Sequence, residues 1–269
     1  MQLNEIVRLA YLEDVGHGDV TTEATVPADL MGSARIIAKQ SLVVCGHDIA
    51  AEVFRQAGAS YVAEVEEGTE VDKWTVVARV SGPMRGLLTG ERLCLNFMMR
   101  LCGIATHTRR TVSRAGELKV VDTRKTTPLL RRLERRAVRV GGGANHRFAL
   151  YDGILIKDNH IRAAGSVSEA IQRARAHAHH LLKIEIEVET LQQLEDALTL
   201  GVDAVLLDNM DDETLREAVR INAGRATLEA SGNMDADRIE RISGIGVDVV
   251  SMGGLIHQAT WADLSMKID

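Results

Sequence analysis

Ala204-Val205-Leu206-Leu207 runs into Asp208-Asn209, a helical pattern follows, and Thr227-Leu228-Glu229-Ala230 then runs into Ser231-Gly232. A short apolar run that closes on a polar or glycine-bearing pair, followed by a helix and the same again, is the rhythm of β/α repetition. Upstream, Lys119–Val121 closes on Asp-Thr-Arg-Lys, Ile154–Ile156 on Lys-Asp-Asn-His, and Ile184–Val188 carries a set of glutamates. Downstream, Val247–Val250 closes on Ser251-Met252-Gly253. Such runs predict parallel strands covered on their outer faces, so the fold class is α/β, with a barrel-like unit over 111–259. In barrels of this kind the chemistry sits at the carboxyl ends of the strands, where all of these clusters fall. One polar strand end is what any solvated loop supplies; a full set bearing Arg, Lys, His, Glu and Asp is not.

Residues 1–110 read differently. A helical pattern opens the chain, β-like runs follow at Ala34–Val44, Tyr61–Val65 and Val76–Val80, and a helix lies between the first two, which predicts a small α+β unit. From Gly86 to about Arg110 the apolar residues recur at helical spacing, with Gly103 as a point of interruption. Trp261–Ile268 alternates as a strand, and 260–269 is expected to rejoin the N-terminal unit.

The 269 residues are 45% hydrophobic and carry a net charge of -6, so the chain has no overall footprint for nucleic acid or an anionic membrane, and any anion site must be local. No stretch approaches the roughly 20 apolar residues that span a bilayer. Cys45, Cys94 and Cys102 are an odd number set in apolar surroundings, which suits buried thiols in the cytoplasm. Aromatic residues make up only 3%, so specificity rests on charge and hydrogen bonds.

That local site is legible. Arg124 and Lys125 follow one strand, His146 and Arg147 follow a glycine run, and Lys157 ends the next strand. Concentrating five potential cations at one barrel mouth of an acidic protein predicts a ligand with several carboxylates or phosphates. The run Arg131, Arg132, Arg135, Arg136 and Arg139 is instead spread round a helix with Glu134 and reads mostly as a solvated face. Gly141-Gly142-Gly143 offers backbone N–H groups but matches neither nucleotide-binding glycine motif; Gly232 and Gly253-Gly254, at the last two strand ends, are the better phosphate candidates. Glu185, Glu187 and Glu189 share one strand face, and Asp208 ends the next strand. Glu187 and Asp208 suit ribose hydroxyls, a Mg²⁺ brought in by a diphosphate, or a developing carbocation, and ion pairing is the competing role for Glu185 and Glu189. His177, His179 and His180 on one helix lack zinc spacing, and no Ser or Cys is flanked as a nucleophile.

The chain resembles the quinolinate phosphoribosyltransferase family along nearly its whole length. The carrying motifs are Glu13-Asp14-x-x-x-Gly18-Asp19-x-Thr21, Glu91-Arg92-x-x-x-Asn96, Gly103-Ile104-Ala105-Thr106, and Asp122-Thr123-Arg124-Lys125-Thr126-Thr127-Pro128. Gly141-Gly142-Gly143-x-Asn145-His146-Arg147, Ile156-Lys157-Asp158-Asn159-His160, Glu185-x-Glu187, Leu207-Asp208-Asn209, Ala230-Ser231-Gly232 and Ser251-x-Gly253 continue the series.

The resemblance implies an N-terminal α/β sandwich domain, an incomplete (β/α) barrel, and a homodimer, capable of further assembly to a hexamer, in which Arg92 is lent to the partner's site. It implies that Arg124, Lys125, His146, Arg147 and Lys157 hold the two carboxylates of quinolinate. Glu187, Asp208, Ser231, Gly232 and Gly253, with Thr123, Asn233 and Ser251 beside them, would serve phosphoribosyl pyrophosphate. Lys125, Lys157, Glu187 and Asp208 form the implied catalytic set; Mg²⁺ on Glu187 and Asp208, directly or through water, is the implied cofactor, with no organic one. Three positions depart from the family pattern: Leu129 and Asn233 stand where glycines are expected, and Ile256 where a threonine is. These departures keep open a related barrel protein associated with molybdate transport and a non-catalytic anion-binding barrel. Transfer to nicotinate would leave the cations one carboxylate short.

Overall fold

The computed structural model describes residues 2–269, which cluster into two compact units. The first unit holds the chain up to Arg109 together with Thr127–Gly142 and Gln258–Asp269; the second holds Arg110–Thr126 and Gly143–His257. In chain order the elements begin α1 (Leu3–Asp14), α2 (Val20–Thr25), β1 (Met31–Ala38), β2 (Leu42–Val43), α3 (His47–Gln56), β3 (Ser60–Ala63), β4 (Glu70–Val71), β5 (Val76–Pro83) and α4 (Met84–Val112). They continue β6 (Lys119–Val121), α5 (Arg131–Val140), β7 (Ile154–Ile156), α6 (Asp158–Ala164), α7 (Val167–His177), β8 (Ile184–Val188) and α8 (Leu191–Thr199). The last are β9 (Ala204–Asp208), α9 (Asp212–Asn222), β10 (Thr227–Ser231), α10 (Ala236–Ile242), β11 (Val249–Ser251), α11 (Gly254–His257) and β12 (Leu264–Ile268).

The first unit is built on an antiparallel sheet in the order β12-β1-β5-β3, with β2 and β4 as a separate pair. Along β1 the residues Ala34, Ile36 and Ala38 are buried in alternation, which is the period-two signature of a sheet covered on one face. The C-terminal strand β12 pairs with β1, with Ala34 opposite Ile268, so 264–268 does rejoin this unit as a strand. Phe54 and Ile49 of α3, with Leu87, Leu95 and Met98 of α4, are fully enclosed, each burial contributing about 1.5–3 kcal/mol. The three thiols are free and buried in this core, and desolvation pushes their pKa values up, which makes them packing residues.

Two features of this unit differ from the sequence reading. Gly103 does not interrupt α4: it lets the helix lie against the chain at 260–262, since a Cβ there would sit 2.1 Å from the Thr260 carbonyl oxygen. Nor is the arginine run mainly a solvated face. Glu134 is fully buried and takes Nε and Nη2 of Arg100 at 3.0 and 2.8 Å, plus the N–H and hydroxyl of Thr127 at 2.8 Å each. Arg135 is buried, and Arg136 pairs with Asp48 and Glu67, leaving Arg132 and Arg139 exposed. The alternation of charge hid a buried carboxylate that must be paired to be tolerated.

In the second unit six parallel strands lie in the order β6-β11-β10-β9-β8-β7. The helices between them start where the sequence supplies a cap: Ser166, Thr190, Asp211 and Asp235 accept from the backbone N–H three residues on, each worth about 1 kcal/mol. Strands β6 and β7 stand at the two edges and do not pair, so the barrel is incomplete; Ala144 forms a parallel bridge to Val121 at the open edge. Helix α7 ends at His177, so His179 and His180 lie beyond it, not on one helix with His177. No described helix is long and apolar enough to cross a membrane.

Gly103→Ala is expected to lower the thermal midpoint, because the added carbon meets backbone and the helix must shift, at a cost of about 1–3 kcal/mol. Gly244→Ala, where an added carbon meets nothing within 4 Å, leaves the midpoint unchanged; equal shifts in the two melting curves would contradict this account.

Candidate active site

A parallel sheet delivers every strand's carboxyl end to the same side, and a cavity of about 540 Å³ opens there in the second unit. Twelve expected residues line it: Thr123, Arg124 and Lys125 after β6, His146 and Arg147, Lys157 after β7, Glu187 of β8, Asp208 of β9, Ser231, Gly232 and Asn233 at the end of β10, and Ser251 of β11. Gly253 does not line the cavity but backs it: a Cβ there would lie 2.9 Å from Lys125 Cδ and 3.2 Å from Thr123 Oγ1. Arg92 belongs to the first unit, is exposed on α4, and does not line the cavity. The glycine triplet does not line it either: Gly141 caps α5, where a Cβ would meet the Ala105 carbonyl oxygen at 2.5 Å.

The glutamates of β8 do not act as one set. Glu185 and Glu187 alternate with the buried Ile184, Ile186 and Val188, whereas Glu189 is exposed past the strand end, its N–H donating to Gln193. Glu187 accepts an ion pair from the Lys157 ammonium, and opposite Asp208 in the sheet register stands Ser231. Glu187 and Glu229 both face Leu206 in register, which puts the two carboxylates on one row across β8, β9 and β10.

Glu229 was missed from sequence. It lines the cavity and is buried, although it sits in a run read as apolar; being two residues before Ser231, it shares that residue's face, and the period-two rule applied to β8 would have found it in β10. Leu155, Leu206 and Asn209 complete the lining.

His146 is held from two directions. Its backbone N–H donates to Asp122 Oδ1 at 3.0 Å, Asn145 donates to Asp122 Oδ2 at 2.5 Å, and Asp122 itself is fully buried at the end of β6. Its Nε2 lies 3.2 Å from Glu185 Oε2 and 3.3 Å from Glu229 Oε2. Burial pulls the imidazole pKa down, but hydrogen bonds and charge from Glu185 and Glu229 outweigh it and push it up to about 10. Its Nδ1 accepts the Arg147 backbone N–H at 2.6 Å, so the ring proton that faces the two acids is the one on Nε2. Arg147, whose Nη1 donates to the Gly153 carbonyl at 3.0 Å, has its pKa lowered by burial and by the nearby charge of Arg124. Four cationic side chains, with His146 among them, thus face Glu187, Asp208 and Glu229, and the crowding of like charge calls for a polyanion.

The C-terminal domain model of quinolinate phosphoribosyl transferase matches residues 104–267, and the N-terminal domain model matches 19–102. The chain belongs to the quinolinate phosphoribosyltransferase family. A probable nicotinate-nucleotide pyrophosphorylase [carboxylating] of Bacillus subtilis is 40% identical, covering 100% of this chain and 94% of that protein. The crystal structure of NadC from Streptococcus pyogenes superimposes with a TM-score of 0.96 at 41% identity, over 100% of this chain and 96% of that one. The nicotinate-nucleotide pyrophosphorylase of Ehrlichia chaffeensis gives 0.95 at 35% identity, over 100% and 99%.

Against the quinolinate phosphoribosyltransferase pattern, the departures have physical readings. Asn233 adopts φ 48°, a left-handed conformation that Asn tolerates, and its Nδ2 donates to Asn209 Oδ1 at 3.1 Å. Leu129 adopts φ 68° and is exposed, outside the cavity. Ile256 is buried in α11.

Because its folded pKa is raised, His146 contributes stability that is fully present below about pH 6.5 and is lost as pH rises through about 10. Nitrogen-15 NMR of the histidine rings is expected to show His146 still protonated at pH 8, with the midpoint falling in Glu229→Gln. A midpoint near the ordinary histidine value in the parent protein would refute the pairing.

Proposed function

We propose that this chain is a carboxylating nicotinate-nucleotide pyrophosphorylase, a pentosyltransferase of NAD biosynthesis. It transfers phosphoribosyl from phosphoribosyl pyrophosphate to quinolinate and yields nicotinate mononucleotide, pyrophosphate and CO₂. The observation that carries the reading is the two-sided cavity: Arg124, Lys125, His146 and Arg147 on one side suit a dicarboxylate, while Glu187, Asp208 and the Ser231-Gly232-Asn233 strand end suit a phosphorylated sugar. The full-length likeness to carboxylating relatives supports the same substrate pair. Neither the molybdate-transport-associated barrel nor a non-catalytic barrel draws support from those relatives.

In the first step the pyridine nitrogen forms a bond to the ribose anomeric carbon as the bond to pyrophosphate breaks, the leaving oxygen taking the electron pair. The sugar gains oxocarbenium character, which Glu187 and Asp208 stabilise electrostatically, and Lys157 is placed to follow the departing negative charge. In the second step the bond to the 2-carboxylate breaks, CO₂ leaves, and the electron pair stays on a ring carbon beside the quaternised nitrogen until a proton replaces it. The protein's task there is to hold the ring and its carboxylates in register, which Arg124, Lys125 and Arg147 perform. Glu187 and Asp208 are hard oxygen donors beside the sugar-phosphate side of the cavity and fit Mg²⁺, which would supply charge neutralisation to the diphosphate.

We propose further that two copies form a homodimer in which the exposed Arg92 completes the partner's site, and that the protein works in the cytoplasm, where its three buried thiols stay reduced.

Purified protein is expected to release CO₂ from quinolinate only when both phosphoribosyl pyrophosphate and Mg²⁺ are present; folded protein that turns over nicotinate but not quinolinate would reassign the acceptor. Arg92→Ala and Arg124→Ala are each expected to be inactive, and mixing them restores about a quarter of the parent activity, since random pairing makes half the dimers mixed with one intact site each. No recovery after subunit exchange is verified by mass spectrometry would rule out the shared site.

A further inference from the structure

Arg238 lies in α10, the helix that follows the turn closing β10, and does not line the cavity. Its side chain is only 14% accessible, and its donors go to main-chain oxygens: Nη1 to the Gly232 carbonyl at 2.8 Å and Nη2 to the Met210 carbonyl. Those carbonyls belong to the turns after β10 and β9, the strands that end in Ser231 and Asp208. One guanidinium therefore ties together the two turns on the sugar-phosphate side of the cavity. A rigid fork of donors can span two carbonyls in this way, whereas a lysine ammonium is a point charge. Asp212 stands 3.7 Å from Arg238 Nε, beyond hydrogen-bond range, and is shared with Arg241 at 3.6 Å. The two carbonyls, more than the acid, fix where the guanidinium sits.

What Arg238 holds in turn is a peptide plane. The peptide between Gly232 and Asn233 is trans, so its C=O and N–H point in opposite directions. With the carbonyl drawn to Arg238, the Asn233 N–H is turned to the other side. Gly232 and Asn233 line the cavity and Arg238 does not, so the other side is the cavity. That N–H donates to no group among the described residues. Gly232, at φ 91°, has no side chain to restrict its backbone, and the arginine supplies the restraint that glycine lacks. The same turn reaches the catalytic carboxylate: Asn233 Nδ2 donates to Asn209 Oδ1 at 3.1 Å, and Asn209 Nδ2 donates to Asp208 Oδ2 at 2.9 Å.

Resting on the transferase reading, we propose that Arg238 is a positioning residue for phosphoribosyl pyrophosphate: by holding the Gly232 carbonyl from outside the cavity, it aims the Asn233 N–H at a phosphate oxygen inside. The guanidinium itself never meets the substrate. It acts through one peptide plane, and the group it serves is either the 5′-phosphate or the diphosphate.

Ribose 5-phosphate and pyrophosphate separate those two sources, each titrated into the full protein with Mg²⁺ present. A well-aimed donor to a charged group is worth about tenfold or more in affinity, so Arg238→Leu is expected to weaken one probe by that factor, and the weakened probe names the phosphate. Arg238→Lys keeps the charge without the fork and is expected to recover only part of the loss. Arg241→Leu removes the other arginine on Asp212, which reaches neither carbonyl, and is expected to bind both probes like the parent. By amide NMR, the parent's Asn233 proton is expected to move downfield when the same probe saturates, and in Arg238→Leu it stays in place. In turnover, Arg238→Leu raises KM for phosphoribosyl pyrophosphate and leaves KM for quinolinate unchanged. Unchanged affinity for both probes in Arg238→Leu, full recovery in Arg238→Lys, equal rises in the two KM values, or a parent Asn233 amide that neither probe moves would overturn the role. Should circular dichroism show Arg238→Leu unfolded, the parent amide shift and Arg238→Lys still decide. Probe binding that depends on Arg238 in protein that never turns over quinolinate would unseat the transferase reading and leave Arg238 its role; quinolinate turnover indifferent to Arg238 would do the reverse.

Discussion

A carboxylate withdrawn from water must meet a cation or a set of N–H donors, and that requirement organises the barrel mouth. Asp122, at the end of the edge strand β6, is fully buried and satisfies its oxygens with the Asn145 amide and the His146 backbone. With the parallel bridge from Ala144 to Val121, this fastens residues 144–146 along an edge the sheet leaves open. His146 then projects onto Glu185 and Glu229, which dictate its charge in turn.

The same accounting divides the cavity. Lys157 and Glu187 neutralise each other across neighbouring strands β7 and β8. Arg124 and Arg147 have the opposite relation: burial and then the charge of Arg124 lower the pKa of Arg147, and a carboxylate beside Arg147 offsets both. A ligand bearing two carboxylates gains from that relief in a way that a single carboxylate cannot, because each guanidinium asks for its own planar partner.

Much of this was legible in the sequence because the parallel sheet makes position along the chain equivalent to position in space: a polar residue just after a β-like run lands at the mouth. That rule placed Lys157, Asp208 and Ser231 without any contact information. It failed where charge sits within a run. Glu229 is enclosed by leucine and alanine neighbours and reads as apolar context, and Glu134 is hidden among arginines on α5. Both are buried acids whose partners, His146 and Arg100, lie far away in sequence, and no local pattern announces a pairing across 34 or more residues. Gly103 failed for a related reason: its lack of a side chain serves a contact with Thr260, which spacing along α4 cannot reveal.

The departures from family glycines show how such positions should be read. Asn209, Gly232 and Asn233 all have positive φ, at 54°, 91° and 48°, and together they turn the chain at the ends of β9 and β10. Gly232 has no alternative, since a Cβ would lie 2.2 Å from Asn209 Oδ1 and 2.9 Å from the Asn209 backbone nitrogen. Asn233 has one: the left-handed region costs Asn little, and its amide donates to the same Asn209 oxygen, so the turn gains a cross-link where glycine would leave none. Leu129 holds φ 68° with its side chain exposed, and a left-handed leucine costs about 1–2 kcal/mol. One substitution is thus absorbed by a new hydrogen bond inside the cavity, and the other is carried as strain outside it. Backbone conformation, more than residue identity, decides which departures reach the chemistry.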